Sequence, residues 1–125
     1  MQHNPGFLAI VDAAKAQIRE CTIADLQALK DSGKPHDLVD CREKEEYDRG
    51  YIPGARHLGK GVIERDIEST IPDRSSPIVL YCGGGYRSAL AALNLQQMGY
   101  TGVLSMAGGI RAWREANLPL EGETP

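Results

Sequence analysis

The sequence contains little cysteine, and its cysteines are spaced too widely to build a structural framework. Its 125 residues include three of them, Cys21, Cys41 and Cys82, an odd number with no Cys-x-x-Cys spacing. Disulfide-stabilised small domains and zinc sites both need paired or closely spaced cysteines. The pattern therefore predicts no disulfide framework, no metal and no resident cofactor, and it favours a reducing, cytoplasmic compartment.

Long hydrophobic runs and basic clusters are also absent from the sequence. The apolar run near the N-terminus covers only residues 7–11, follows no cationic segment and ends at Asp12. It is too short for a signal peptide or a membrane span. The formal net charge is −3 and no stretch concentrates Lys and Arg, so nucleic acid is not an expected partner. The sequence predicts neither membrane nor nucleic-acid binding.

Hydrophobic periodicity and turn residues predict an alternation of strands and helices. Asn4 and Pro5 are typical of a helix start, and Thr22 and Gly33 are typical of the two ends of a second helix. Further helices are predicted at 62–69, 88–98 and 110–116, and strands at 18–21, 37–41, 56–58, 78–82 and 103–105. This alternation predicts an α/β fold in which helices cover both faces of a central parallel sheet of about five strands.

The chain has the size of one domain, 13.6 kDa, which is enough to bury a core. We expect an N-terminal helical extension at 1–17, a single α/β domain at 18–120 and a disordered, solvated tail at 121–125. In the extension, helical spacing predicts one apolar face, made of Phe7, Ile10, Val11, Ala14 and Ile18.

The segment that begins at Cys82 has the character of an anion-binding loop. Cys82 ends the predicted strand 78–82, three glycines follow it, and a helix is predicted to begin near Ser88. Glycines let successive backbone N–H groups turn toward one point, and the helix N-terminus adds partial positive charge there. Such an environment lowers the pKa of a thiol and makes it nucleophilic. The alternative is an inert, buried cysteine at a strand end.

Four ordered motifs across about 18–120 resemble a single-domain rhodanese. They are Asp40-Cys41-Arg42-Glu43 with Glu46-Tyr47, Gly50-Tyr51-Ile52-Pro53-Gly54-Ala55, Tyr81-Cys82 through Arg87-Ser88, and Gly108-Gly109-Ile110 with Ala112-Trp113. The resemblance implies a rhodanese-like α/β fold with an extra N-terminal helix. It also implies sulfur transfer: a cysteine, matched here by Cys82, takes a sulfane sulfur from thiosulfate or a persulfide and passes it to a thiol or cyanide. The expected partners are a small-molecule or protein sulfur donor and a thiol acceptor.

The same resemblance assigns roles around Cys82. Arg87 is expected to hold the loop through a carboxylate, for which Glu46 is a candidate, or to face an anionic donor. Cys41 is expected to pack as an apolar residue rather than to act as a resolving thiol. The predicted persulfide-binding loop is Gly83, Gly84, Gly85, Tyr86, Arg87 and Ser88, and its predicted ionic support is Asp40, Arg42 and Glu46.

Two functions other than sulfur transfer are considered. The first is a phosphatase or arsenate reductase, but the loop between Cys82 and Arg87 is one residue shorter than in the related dual-specificity phosphatases and fits a single sulfur better. The second is a non-catalytic binding module, which the intact Cys82, Arg87 and Ser88 argue against. Because no cation lies between Cys82 and Arg87, thiosulfate is expected to be a poor donor and a persulfide a better one.

Overall fold

Five β-strands and six α-helices alternate along residues 3–122, the part of the chain that this computed structural model describes. In chain order they are α1 Pro5–Lys15, β1 Glu20–Cys21, α2 Ile23–Ser32, β2 Asp37–Asp40, α3 Lys44–Asp48, β3 Arg56–His57, α4 Ile63–Thr70, β4 Ile78–Tyr81, α5 Tyr86–Gln97, β5 Val103–Met106 and α6 Gly109–Glu115.

The strands form one parallel sheet in the order β1-β5-β4-β2-β3. Parallel neighbours need long crossover connections, which the intervening helices provide. The predicted α/β fold with a five-stranded parallel sheet is therefore confirmed. β4 is the central strand, and its carboxyl end leads directly into the loop at Cys82.

The side chains of β4 alternate between two hydrophobic clusters, one on each face of the sheet. Ile78 and Leu80 pack in one cluster with α4 and α5, while Val79 and Tyr81 pack in the other with α2 and α6. All four are buried. A strand covered on both faces needs a continuous apolar run, which the sequence of β4 supplies. The expected helices on both faces are present.

Three predicted helix ends differ in how they are stabilised. Thr22 and Asp25 form a capping box before α2: Asp25 N donates to Thr22 Oγ1 at 3.1 Å, and Thr22 N donates to Asp25 Oδ2 at 2.8 Å. Gly33 ends α2 with a φ of +70°. Asn4 precedes α1 as predicted, but its side chain makes no capping hydrogen bond.

Helix α1 packs against α5, outside the two clusters of the sheet. Val11 and Ala14 are fully buried, whereas Ile10 is 56% exposed. Ile10, predicted to share one apolar face with Val11 and Ala14, therefore lies outside the contact with α5. Successive residues lie about 100° apart around a helix. Because the contact between α1 and α5 is narrow, it includes Val11 and leaves Ile10 in solvent.

Helix α3 and the end of the chain depart from the sequence-based picture. Helix α3 was not predicted, because its five residues include none that is buried and so carry no hydrophobic periodicity. Glu121, within the predicted tail, exchanges two 2.9 Å backbone hydrogen bonds with Tyr51; residues 123–125 of that tail lie outside the described residues. None of the helices within 3–122 has the length and hydrophobicity that crossing a bilayer requires.

Candidate active site

Cys82 lies just beyond β4, and its sulfur is surrounded by hydrogen-bond donors. The backbone N–H groups of Gly85 and Ser88 donate to Sγ at 3.2 Å and 3.4 Å, and Ser88 Oγ lies 3.6 Å from it. Cys82 as a whole is 1% exposed. The loop therefore encloses the sulfur in polar groups suited to a negative charge.

The loop can adopt this shape because Gly85 has a φ of +94°, which favours glycine. It also needs close approach to the backbone after β5: a Cβ at Gly85 would lie 3.2 Å from Gly108 N and 3.3 Å from Met106 O. The last of the three glycines therefore has both a conformational and a packing requirement. Helix α5 starts immediately after it, at Tyr86, two residues before the predicted start.

The beginning of α6 holds the loop from the other side. Ile110 N donates to Cys82 O at 2.9 Å, and Arg111 N donates to Gly83 O at 3.0 Å. Gly109 lies so close that an added Cβ would overlap Cys82 O and come within 2.6 Å of Gly83 O. The Gly108-Gly109 motif thus determines where the loop lies as well as where the last helix starts.

Hydrogen bonding lowers the pKa of Cys82 to about 5. The largest cause is the interaction with the neighbouring Cys41 thiol, followed after the opposing effect of burial by the Ser88 N–H, the Ser88 hydroxyl and the Gly85 N–H. The same interaction, together with burial, raises the pKa of Cys41. Cys82 is therefore the thiolate and Cys41 the neutral thiol at neutral pH.

Cys41 and Ser105 are neighbours of the site that sequence reasoning did not place there. Cys41 is buried, as a packing residue would be, and its thiol donates to Tyr81 O at 3.2 Å; it also contributes most to the lowered pKa of Cys82. Ser105 Oγ lies 2.8 Å from Ser88 Oγ, and both serines are fully buried. The sequence signal for Ser105 is its place in the middle of an apolar strand. A hydroxyl buried at such a position needs a hydrogen-bond partner.

Arg87 and Glu46 form a two-pronged ion pair. Arg87 Nη1 donates to Glu46 Oε1 at 2.7 Å and Nη2 donates to Oε2 at 3.1 Å, with each side chain about one-third exposed. Arg87 lowers the pKa of Glu46. Two roles were left open for Arg87. The observed geometry matches the one in which Arg87 holds the loop through a carboxylate.

Asp40 and Arg42, the other predicted supports, form a separate buried pair. Arg42 donates to both carboxylate oxygens of Asp40 at 2.8–3.1 Å and to Gly50 O at 2.7 Å. Asp40 is 0% exposed and Arg42 is 5% exposed. The pair connects the end of β2 to the 50–55 turn and does not line the cavity at Cys82.

A cavity of about 460 Å³ opens above the loop. It includes two features that the sequence did not predict, namely aromatic rings brought by the N-terminal segment and a cation from α6. The ring of His3 lies 4.4 Å from that of Tyr86 and 5.3 Å from that of Phe7. The lining residues are His3, Phe7, Glu46, Cys82, Gly83, Gly84, Tyr86, Arg87 and Arg111.

Arg111 brings a positive charge to this cavity. A Cβ placed at Gly84 would lie 3.7 Å from Arg111 Nη1, so the guanidinium lies over the loop. Within residues 3–122 it forms no ion pair, whereas Arg87 is paired with Glu46. The same part of the chain contains no group of three or more His, Cys, Asp or Glu side chains arranged to hold a metal ion. The site is thus a thiolate beside one available cation.

Comparison with known proteins finds a match to the family model "Rhodanese-like domain" over residues 22–116. A sulfurtransferase of Allochromatium vinosum is 40% identical over 83 residues, covering 66% of this chain and 76% of that protein. YrkF of Bacillus subtilis, whose name describes a sulfur carrier protein, is 29% identical over 98 residues, covering 78% of this chain and 52% of YrkF. The chain thus spans about half the length of YrkF.

Two solved structures extend the likeness to the fold. A Rhodopseudomonas palustris protein of unknown function, described as a possible tyrosine phosphatase, superposes with a TM-score of 0.85 at 35% identity, covering 97% of this chain and 98% of that one. The polysulfide-sulfur transferase homodimer of Wolinella succinogenes gives a TM-score of 0.76 at 28% identity, covering 92% and 86%. Coverage of 97% leaves out too few residues to omit α1, so the first of these structures also matches the N-terminal helix.

Proposed function

The chain belongs to the rhodanese-like domain family, and we propose that it is a sulfurtransferase in which Cys82 carries a sulfane sulfur as a persulfide. The observation that carries this proposal is the convergence of the Gly85 and Ser88 N–H groups on Cys82 Sγ. A sulfur held in this way is a thiolate near neutral pH and therefore a nucleophile. Relatives named for sulfur transfer support the same class of reaction.

The reaction has two halves. In the first, the Cys82 thiolate attacks the sulfane sulfur of the donor, and the bond to the leaving group breaks with its electron pair, releasing sulfite from thiosulfate or a thiolate from a persulfide. In the second, a thiol or cyanide attacks the outer sulfur and regenerates the thiolate. Neither half requires a general base at Cys82, because its pKa of about 5 leaves it ionised.

The loop also offers groups for the outer sulfur. Within residues 3–122, the N–H groups of Gly84, Tyr86 and Arg87 have no acceptor. They belong to the same loop and helix start that surround Cys82 Sγ. Preorganised N–H donors stabilise the negative charge of a persulfide as they stabilise an oxyanion, without rearranging.

The available cation favours an anionic donor. The loop itself carries no cation between Cys82 and Arg87, which is why thiosulfate is expected from the sequence to be a poor donor. Arg111 lines the same cavity and is unpaired within the described residues, so it can bind a sulfonate or a carboxylate. We therefore propose small anionic donors, which include thiosulfate as well as carboxylate-bearing persulfides.

The first experiment measures the intact mass of the reduced protein by mass spectrometry after incubation with thiosulfate or with glutathione persulfide. A gain of one sulfur atom that is absent in Cys82→Ser establishes the persulfide carrier and ranks the two donors. Cys21→Ala is the matched control and must not change the result, because Cys21 is buried in the hydrophobic cluster with α2 and α6 and does not line the cavity. No adduct from either donor on a reduced, alkylatable Cys82 contradicts the proposal and favours a non-catalytic binding module.

Phosphatase activity is the competing reaction, since one structural neighbour is described as a possible tyrosine phosphatase. Cleavage of a phosphate ester is helped by an acid that protonates the leaving oxygen. Glu46 is the carboxyl group that lines the cavity, and Arg87 lowers its pKa, so it is ionised at neutral pH. We expect no Cys82-dependent hydrolysis of p-nitrophenyl phosphate; turnover that disappears in Cys82→Ser would revive the phosphatase alternative.

A further inference from the structure

We propose that Cys41 is a resolving thiol: when no acceptor is present, it attacks the Cys82 persulfide, forms a Cys41–Cys82 disulfide and releases sulfide. This inference rests on the proposed sulfurtransferase function, because it needs the persulfide to form first. It adds a second fate for the bound sulfur and a second reacting residue.

The strand register places the two cysteines opposite each other. In the parallel pair β2 and β4, Asp40 is the partner of Tyr81, so Cys41 and Cys82 follow at the next position of each strand. The ladder continues to that position, since Cys41 N donates to Tyr81 O at 2.9 Å. Neighbouring strands lie about 4.8 Å apart, within the Cα separation of about 4.4–6.8 Å that a disulfide requires.

The two side chains also point to the same face of the sheet. Val39 and Leu80 are register partners and pack in the same hydrophobic cluster. Cys41 and Cys82 lie two positions further along the same strands, and side chains two positions apart share a face. The two thiols are close enough to affect each other's ionisation: Cys41 lowers the pKa of Cys82, and Cys82 raises that of Cys41.

The burial of the two cysteines determines the direction in which the outer sulfur leaves. Both cysteines are 1% exposed, yet only Cys82 lines the cavity above the loop. An outer sulfur added to Cys82 therefore extends toward the cavity, whereas Cys41 lies beside Cys82 at the end of the neighbouring strand. Attack by Cys41 on Cys82 Sγ pushes the outer sulfur out through the opening by which the donor enters.

The reaction needs no external oxidant. A bond forms between Cys41 Sγ and Cys82 Sγ, and the bond between Cys82 Sγ and the outer sulfur breaks, with its electron pair leaving on the outer sulfur. The Cys41 proton moves to that sulfur, so Cys41–SH and Cys82–S–S⁻ become the disulfide and HS⁻. The sulfane sulfur is reduced to sulfide, and the two cysteine sulfurs are oxidised to the disulfide.

The test follows the loaded protein over time. Reduced protein is loaded with thiosulfate, freed of small molecules by desalting and left without thiol or cyanide, while its intact mass and the free sulfide are measured. We expect the added sulfur to disappear, a species lacking two hydrogens to replace it and one sulfide to appear per persulfide lost. Peptide mapping without reductant must join Cys41 to Cys82.

Cys41→Ala and Cys21→Ala form the matched pair of variants. Cys41→Ala loads more slowly, because it loses the neighbour that most lowers the pKa of Cys82, so its sulfide release is counted per loaded molecule and must fall by about tenfold or more. Cys21→Ala must behave like the wild type. If Cys41→Ala does not fold, peptide mapping of the wild-type product still decides the question.

The outcomes separate this inference from the function it rests on. A wild-type persulfide that persists, or sulfide release that is equal in Cys41→Ala, overturns the resolving role and leaves sulfur transfer intact. A disulfide from Cys82 to Cys21 also overturns it. Absence of any sulfur adduct in the wild type contradicts the sulfurtransferase function, and the resolving role falls with it.

Discussion

Arg87 and Glu46, which are 41 residues apart in the chain, form an ion pair with two hydrogen bonds of 2.7 Å and 3.1 Å. The contact joins the first turn of α5 to helix α3, and through it the loop around Cys82 gains a support outside its own segment. Since both side chains are about one-third exposed, the pair contributes about 1 kcal/mol or less to folding. Its main effect is on the position of the loop around Cys82.

Glu46→Gln should therefore affect activity more than stability. The amide keeps the shape of the side chain but loses the charge that orients Arg87, so we expect kcat/KM for sulfur transfer to fall by about tenfold, with little change in the denaturation midpoint. Asp48→Asn is the matched control, because it removes the exposed ion pair with Lys44 on the same short helix. An equal loss of activity in both variants would show a general effect of α3.

Alkylation of Cys82 by iodoacetamide should follow its lowered pKa. The thiolate is the reacting form, so the rate rises with pH, is half-maximal near the folded-state pKa of about 5 and is level above it. Cys41→Ala removes the largest cause of the lowering and should move the midpoint to higher pH; Ser88→Ala should move it in the same direction. Mass spectrometry of the Cys82 peptide between acidic and alkaline pH measures the profile.

The Cys21→Ala profile is the reference for those two variants. Burial raises the pKa of Cys21 to about 11, and this thiol does not contact the loop, so its removal should leave the midpoint unchanged. A wild-type midpoint near the ordinary value for a thiol would show that the loop does not stabilise the thiolate.

Arg111→Gln should weaken the binding of an anionic donor. We expect KM for thiosulfate to rise by about tenfold with kcat little changed, because the guanidinium binds the donor and does not take part in bond breaking. The wild-type KM should also rise with ionic strength, and that dependence should be smaller in the variant. Arg114→Gln is the control, since this exposed residue belongs to the same helix but does not line the cavity. Equal kinetics in both variants would remove Arg111 from donor binding.

Gly109→Ala should damage the loop and the stability of the fold together. The added Cβ would overlap Cys82 O, and Gly109 has a φ of +56°, so the start of α6 must move away from the loop. We expect a loss of about 2 kcal/mol or more in chemical denaturation, together with reduced sulfur loading.

Gly61→Ala is the comparison for that change. A Cβ at Gly61 meets no atom within 4 Å and the residue has an ordinary φ, so stability and loading should stay near those of the wild type. Similar losses in the two variants would mean that replacement of a glycine, rather than contact with the loop, is responsible.

Much of the architecture could be read from local patterns. The capping box at Thr22, the left-handed Gly33 after α2 and the apolar run of β4 all depend on residues close in the chain, and the structure has each of them. Helix α3 has no hydrophobic periodicity, because none of its residues is buried. The exposure of Ile10 could not be predicted for a related reason: periodicity shows which residues share a face but does not show how wide the contact with α5 is.

Local patterns were enough to predict the parallel α/β sheet, most of its helices and the character of the loop after Cys82, because turn chemistry, hydrophobic period and glycine content act over a few residues. The surroundings of that loop depend on the folded structure. Glu46 from α3, Arg111 from α6 and Phe7 from α1 meet at one cavity, and Cys41 meets Cys82 across two strands. These neighbours come from distant segments, and packing of helices on the sheet sets their separation, which no local pattern records.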